Sequence, residues 1–188
     1  MTFTPFTGSW AGSFRKFQTF LSERDYSYCE KLGVDPLIPL AIAGVESNWT
    51  PWVIRVNTKK RITVKGEGIK TVRGRGYYVF YCKSRAKCEA LALLLLRKGI
   101  KNLDLGAFQF NYYHQKKIDK DFTVFDAFDL KEAYRRVCRI VALNFQARGK
   151  TANAVAMYHT SRPWKNYYYA KKFWKIYKKL RRQLERAD

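Results

Sequence analysis

The apolar positions of this chain fall into blocks of different period. From Ser9 to Leu32, Trp10, Phe14, Phe17, Phe20, Leu21, Tyr28 and Leu32 recur at broadly helical spacing, and Gly33 supplies a stop. Asp35-Pro36 then opens a helix, with Asp as cap and Pro in the first turn. Pro36 to Ser47 is apolar nearly all round, which predicts a central helix rather than a surface one. After Trp49 the period shortens. Trp52–Val56, Arg61–Val64, Ile69–Val72 and Tyr77–Phe80 are β-branched or aromatic runs separated by Asn57-Thr58 and glycines, as in a small antiparallel sheet. Helical spacing returns over Ser84–Lys98, which Gly99 ends. A loop over Ile100–Tyr113 comes next, then a long helix over Asp126–Gly149. Thr151 caps a short helix over Ala152–Tyr158, and Pro163 opens a last helix running towards Ala187. The pattern predicts one mainly α domain over residues 1–188: an N-terminal helix at 9–33, a core at 36–160 with a β insertion at about 52–82, and a C-terminal helix at 163–187.

Composition narrows the partners. The 188 residues suit one domain, and 47% hydrophobic content is enough for a packed core. No apolar run approaches the ~20 residues a bilayer-spanning helix needs. Lys and Arg number 37 against 15 Asp and Glu, a net charge of +22, so the expected partner is a polyanion. The excess concentrates in two places. Between Arg55 and Arg75 eight basic residues face one acid, Glu67; between Arg162 and Arg186 ten face one acid, Glu185, with Tyr167, Tyr168, Phe173, Trp174, Ile176 and Tyr177 among them. The four cysteines, Cys29, Cys82, Cys88 and Cys138, contain no Cys-x-x-Cys, and His114 and His159 are the only histidines, so the spacing argues against a structural zinc site. Four cysteines allow three disulfide pairings, with a local Cys82–Cys88 bridge feasible, or else buried thiols. The N-terminus carries no basic-then-apolar signal, which fits either a cytosolic protein or one whose signal has been removed.

Glu46 is the one charge in the apolar helix and stands near its end. An ionised carboxylate is costly to bury, and the negative end of the helix dipole opposes the charge as well. A carboxylic acid that keeps its proton near neutral pH is what general-acid chemistry requires.

The residues around it resemble a family. Ala43-Gly44-Val45-Glu46-Ser47-Asn48-Trp49, the stretch Asn102-Leu103-Asp104-Leu105-Gly106-Ala107-Phe108-Gln109-Phe110-Asn111, and Ala156-Met157-Tyr158-His159 are similar, in order, to the three motifs of the soluble lytic transglycosylases. The third is closest to the branch with an Ala-Tyr-His step, to which Ile54–Asn57, Tyr112-Tyr113-His114 and Phe128-Asp129-Leu130 are also similar. The likeness runs from about Pro36 to Tyr177; it departs at Ala107 and Phe108, where the family has Leu-Met, and in the longer basic β segment.

The resemblance implies a goose-type lysozyme-like fold and non-hydrolytic cleavage of the β-1,4 bond between N-acetylmuramic acid and N-acetylglucosamine in peptidoglycan. Glu46 would protonate the leaving oxygen and then act as base on the C6 hydroxyl, closing a 1,6-anhydro ring. A single carboxylate then suffices, with the substrate's own acetamido group stabilising the developing charge. Tyr158 would orient the Glu46 carboxyl. Ser47, Gly106, Phe108, Gln109 and His159 would contact substrate, with His159 read as a groove-wall residue. No metal and no cofactor are expected. The partners would be peptidoglycan strands and an envelope apparatus, flagellar or secretory, with no specific nucleic acid, and the location periplasmic. On this reading the basic flap and last helix grip the acidic wall. The alternatives are a basic nucleic-acid-binding protein, for which the aromatic-interleaved last helix speaks, and a hydrolytic lysozyme or non-catalytic wall-binding protein on the same fold.

Overall fold

The computed structural model describes residues 11–64, 66–159 and 167–185. It is mixed α and β, mostly helical, with one small antiparallel sheet. The elements are α1 (Ala11–Gln18), α2 (Glu23–Lys31), α3 (Leu37–Ser47), β1 (Val53–Asn57), β2 (Ile69–Gly74), β3 (Tyr77–Cys82), α4 (Arg85–Arg97), β4 (Leu103–Leu105), β5 (Phe110–Asn111), α5 (Tyr112–Ile118), α6 (Val124–Phe128), α7 (Leu130–Arg148), α8 (Ala152–Ala156) and α9 (Tyr167–Leu184). They form two compact units. One comprises the chain up to Trp49 and everything from Tyr134 onward; the other is Thr50–Ala133.

The first unit is built around α3. Asp35 Oδ1 accepts from the Leu37 amide at 2.8 Å and so caps the helix start. Nine consecutive residues, Leu37 to Val45, are buried, as the all-round apolar pattern requires. Tyr134 of α7 is fully buried and donates its hydroxyl to Pro36 O at 2.9 Å, just ahead of α3. Burial raises the pKa of that phenol far above its ordinary value. Helix α9 packs along α3 through Tyr169, Phe173 and Leu180, its i, i+4 and i+11 positions. A disulfide between Cys29 on α2 and Cys138 on α7 joins the two chain segments of this unit.

The N-terminal block forms two helices rather than the one that its periodicity predicts. Ser22 and Asp25 start the second: Asp25 Oδ2 accepts from the Ser22 amide at 2.9 Å and from its hydroxyl at 2.6 Å. Asp25 is wholly buried and also pairs with Arg135 at 2.8 Å. Burial alone would raise its pKa, but the Ser22 and Arg135 donors outweigh it and hold the carboxyl below its usual range. The expected helix start at Ser9 and the ends of the last helix at Pro163 and Ala187 lie outside the described residues.

In the second unit the sheet order is β2-β3-β1-β4-β5, every neighbouring pair antiparallel. Ile54, Val56, Tyr78 and Phe80 are buried on one face. Arg55, Lys70, Val72 and Tyr81 are exposed on the alternate positions. Three expectations need correction. Arg61–Val64 forms no strand. The stretch read as a loop, Ile100–Tyr113, contributes β4 and β5, so the sheet extends past the predicted 52–82 insertion, and α5 continues directly from it. The helix expected over Asp126–Gly149 starts earlier and breaks at Asp129. Thr123 and Asp126 form a capping box for α6, and Asp129 Oδ1 accepts from the Lys131 and Glu132 amides, both at 3.1 Å, at the start of α7. Cys82 and Cys88 form the local bridge between β3 and α4.

Candidate active site

Helix α3 delivers Glu46 to the end of an otherwise apolar rod. The Glu46 side chain is 12% exposed. Just beyond it the backbone reverses sharply. Asn48 and Trp49 both adopt left-handed backbone, φ 53 and 56, a conformation that costs a non-glycine residue of order 1 kcal/mol or more. The reversal is held by burial of the indole. Trp49 Nε1 donates to Leu40 O at 2.9 Å, the Trp49 amide donates to Ala43 O at 3.2 Å, and Phe14 meets the ring edge-on at 5.1 Å. The ring lies against Gly44, where a Cβ would come within 2.6 Å of Trp49 Cζ2. The glycine two residues before Glu46 is therefore there to admit the tryptophan three residues after it.

Three side chains gather around Glu46 and its helix end within this unit. His159 Nδ1, just past α8, stands 3.4 Å from Glu46 Oε1. The His159 ring stacks on Tyr169 of α9, centroids 4.6 Å apart and 15° between planes. Tyr169 is buried, and its phenol is pushed well above the ordinary tyrosine range, first by burial, then by the Glu46 charge and by Tyr158. One turn along α9 from Tyr169, Lys172 Nζ donates to Val45 O at 2.8 Å. It thus satisfies a carbonyl in the last turn of α3, where four lack helical partners and a cation suits the dipole. Ser47 Oγ donates back to Ala43 O at 3.1 Å. Of the residues picked out from sequence, Glu46, Ser47, Tyr158 and His159 all belong to this unit.

Gly106, Phe108 and Gln109 belong to the other unit and form a self-contained turn there. Gly106 has φ 71, and a Cβ on it would collide with the Ala127 carbonyl oxygen. Gln109, at φ 50, donates both its amide (3.1 Å) and its side-chain Nε2 (2.8 Å) to Gly106 O. Phe108 is 0% exposed and packs against Phe110, so its side chain is a core element of this unit. Asp104 is the hub of an amide network, accepting from Asn57 Nδ2 at 2.7 Å and Asn111 Nδ2 at 2.8 Å. This ties β1, β4 and β5 beneath the turn.

Tyr169 and Lys172 are absent from the residues chosen on sequence. The signal for Tyr169 is the inward stripe Tyr169–Phe173–Leu180 within an otherwise basic helix, which separates it from Tyr167 and Tyr168. Lys172 has no such signal, because its role comes from the packing of α9 on α3. Comparison with protein-family models, with curated proteins and with solved structures gives no match.

Proposed function

We propose that the protein is a peptidoglycan lytic transglycosylase with a goose-type lysozyme-like fold, acting through Glu46. The observation that carries the reading is the carboxyl itself. A near-buried glutamate ends an apolar helix, with an imidazole at 3.4 Å and a buried phenol beside it. Glu46 is the one charged side chain of that helix, and only 12% of it is exposed. Helix-end geometry, a neighbouring histidine and buried tyrosine, and a motif order similar to the transglycosylases support acid–base work at this position.

In this reaction Glu46 gives its proton to the glycosidic oxygen, and the C1–O bond breaks with the substrate acetamido group supporting the positive charge at C1. Glu46, now a carboxylate, takes the C6 hydroxyl proton as that oxygen bonds to C1. Proton and charge return to the starting state and no water is consumed. Tyr169, stacked on His159, holds the imidazole beside Glu46, and Lys172 fixes the helix end that aims the carboxyl. Tyr158 shares in setting the electrostatics of this group. The Gly106–Gln109 turn is braced by the Gln109 side-chain amide, which donates to Gly106 O, and by the Gly106 amide, which donates to Val53 O.

Glu46→Gln keeps the shape of the side chain and removes its acidity. Purified sacculi digested with the parent chain should release muropeptides ending in 1,6-anhydromuramic acid, seen by mass spectrometry, and the variant should release none while its melting temperature stays within a few degrees. Full activity in the variant defeats the reading, and reducing-end products from the parent convert it to a hydrolytic lysozyme.

A further inference from the structure

Helix α9 has a second face that the candidate active site leaves unused. Its inner stripe is covered by packing on α3. On the outside Tyr168, Lys171, Lys175, Lys178 and Arg182 succeed one another at i, i+3, i+7, i+10 and i+14, all exposed. That spacing forms one straight row along the helix. Tyr167 and Tyr168 at the head of the row are 75% and 81% exposed. Two other cations of the helix are occupied: Lys172 on Val45 O, and Arg181 on Asp35, Tyr177 and Glu185. Among the described residues no carboxylate pairs with Lys171, Lys175, Lys178 or Arg182 at salt-bridge distance. Lys179 lies beside the row, its pKa held below the usual value by burial and then by neighbouring Lys175.

We infer that this outer face of α9 is a docking surface for single-stranded nucleic acid, the row of cations following the phosphates and Tyr167 and Tyr168 stacking on bases. At 1.5 Å per residue the four cations from Lys171 to Arg182 span about 16 Å at steps of about 4.5–6 Å. A regular, closely spaced line of single negative charges matches such a row, and a phosphodiester backbone is one. The carboxylates of a peptidoglycan strand sit on separate stem peptides and do not form such a line. Exposed tyrosine at the end of a basic track is the other half of the recipe for strands whose bases are unstacked. A bilayer surface would take up the charge but gives the row's regularity no role. The helix cannot embed, because its apolar side already faces α3.

Fluorescence anisotropy of the full chain with a labelled oligothymidine of about 20 nucleotides, titrated at about 50–200 mM NaCl, tests this. Each phosphate contact contributes about −0.7 to the slope of log K against log salt. Replacing Lys171, Lys175, Lys178 and Arg182 together by Gln should therefore flatten the slope by about 2.8, equivalent to a salt sensitivity lower by about fiftyfold over that fourfold range. Lys175→Gln alone should flatten it by about 0.7, a readout that survives if the quadruple variant folds poorly. Tyr167→Ala with Tyr168→Ala should weaken binding by about tenfold or more, and should have no effect on an abasic strand of the same length. Replacing Lys59, Lys60, Arg61 and Arg75, which carry equal charge elsewhere, should leave the α9 contribution to the slope unchanged. The inference is overturned if the α9 and control variants lose the same slope, if the tyrosine pair has no effect, or if poly(glycerol phosphate), anionic vesicles or sacculi bind the face as tightly as the oligonucleotide. None of these outcomes depends on whether Glu46 cleaves a glycan.

Discussion

The two disulfides close loops of very different length, and loop length should decide which one holds the protein together. Cys29 and Cys138 are 109 positions apart, Cys82 and Cys88 only 6. In the chain-entropy treatment a cross-link removes freedom from the unfolded chain in proportion to the logarithm of the loop it closes. That gives about 4.8 kcal/mol for the long loop and about 2.2 kcal/mol for the short one, a difference of about 2.6 kcal/mol. For a chain of this size each kcal/mol moves the melting temperature by about 2–4 °C, so the difference amounts to about 5–10 °C. The measurement uses two variants. In C82A/C88A the only bond left is Cys29–Cys138; in C29A/C138A the only bond left is Cys82–Cys88. Comparing each variant oxidised and reduced, by thermal melts monitored in tryptophan fluorescence, isolates one cross-link without changing the packed volume. Reduction should cost C82A/C88A far more than C29A/C138A. Equal losses, or a larger loss in C29A/C138A, would refute the entropic reasoning and place the stabilisation in the native contacts around each bridge.

Two further outcomes rest on side chains packed in the first unit. Gly44→Ala should destabilise by about 1–3 kcal/mol in urea unfolding, because the new methyl meets a Trp49 ring pinned by its own hydrogen bond; helix propensity alone predicts the opposite sign, a gain of about 1 kcal/mol, so a stabilised variant would rule out the tight contact. Asp25, whose carboxyl is held below its ordinary pKa in the folded protein, contributes stability that is complete above the unfolded pKa and disappears as pH falls through the folded one. Asp25→Asn should therefore cost about 1–3 kcal/mol at pH 7, and the gap between variant and parent should close on acidification below about pH 4; a gap independent of pH would show that charge is not what Asp25 contributes.

How much of this was legible beforehand depends on the range of the interaction that decides each element. Helix α3 is plain in the sequence because every position agrees: the Asp35 cap, the unbroken apolar run, the single carboxyl at its end. Periodicity fails where a local cap competes with it. The breaks at Ser22 and Asp129 interrupt helical spacing that runs on undisturbed. Their signals were in the chain, since Ser22-Glu23-Arg24-Asp25 is a capping-box pattern and Asp129 stands as a capping carboxylate for the Lys131 and Glu132 amides. Strands β4 and β5, of three and two residues, are too short to show any period; β4 exists because β1 offers an edge to pair with, and β5 because β4 does. In the candidate site, the local motifs single out Glu46 and His159, which stand 3.4 Å apart. They do not single out Tyr169 and Lys172, because what these touch is decided by how α9 lies on α3. The cysteine pairing is of the same kind: it depends on α2 and α7 being neighbours.

The groups that surround Glu46 come from the far end of the chain. His159 lies 113 positions on, and the Lys172–Val45 bond spans 127. Between them the ribosome makes the whole of Thr50–Ala133. A chain still being synthesised, or one cut anywhere before α9, therefore carries the acid without the imidazole's stacking partner and without the ammonium that closes its helix. On the proposed function, competence for chemistry at Glu46 would arrive only with α9. Incomplete forms of the chain would therefore leave peptidoglycan uncut.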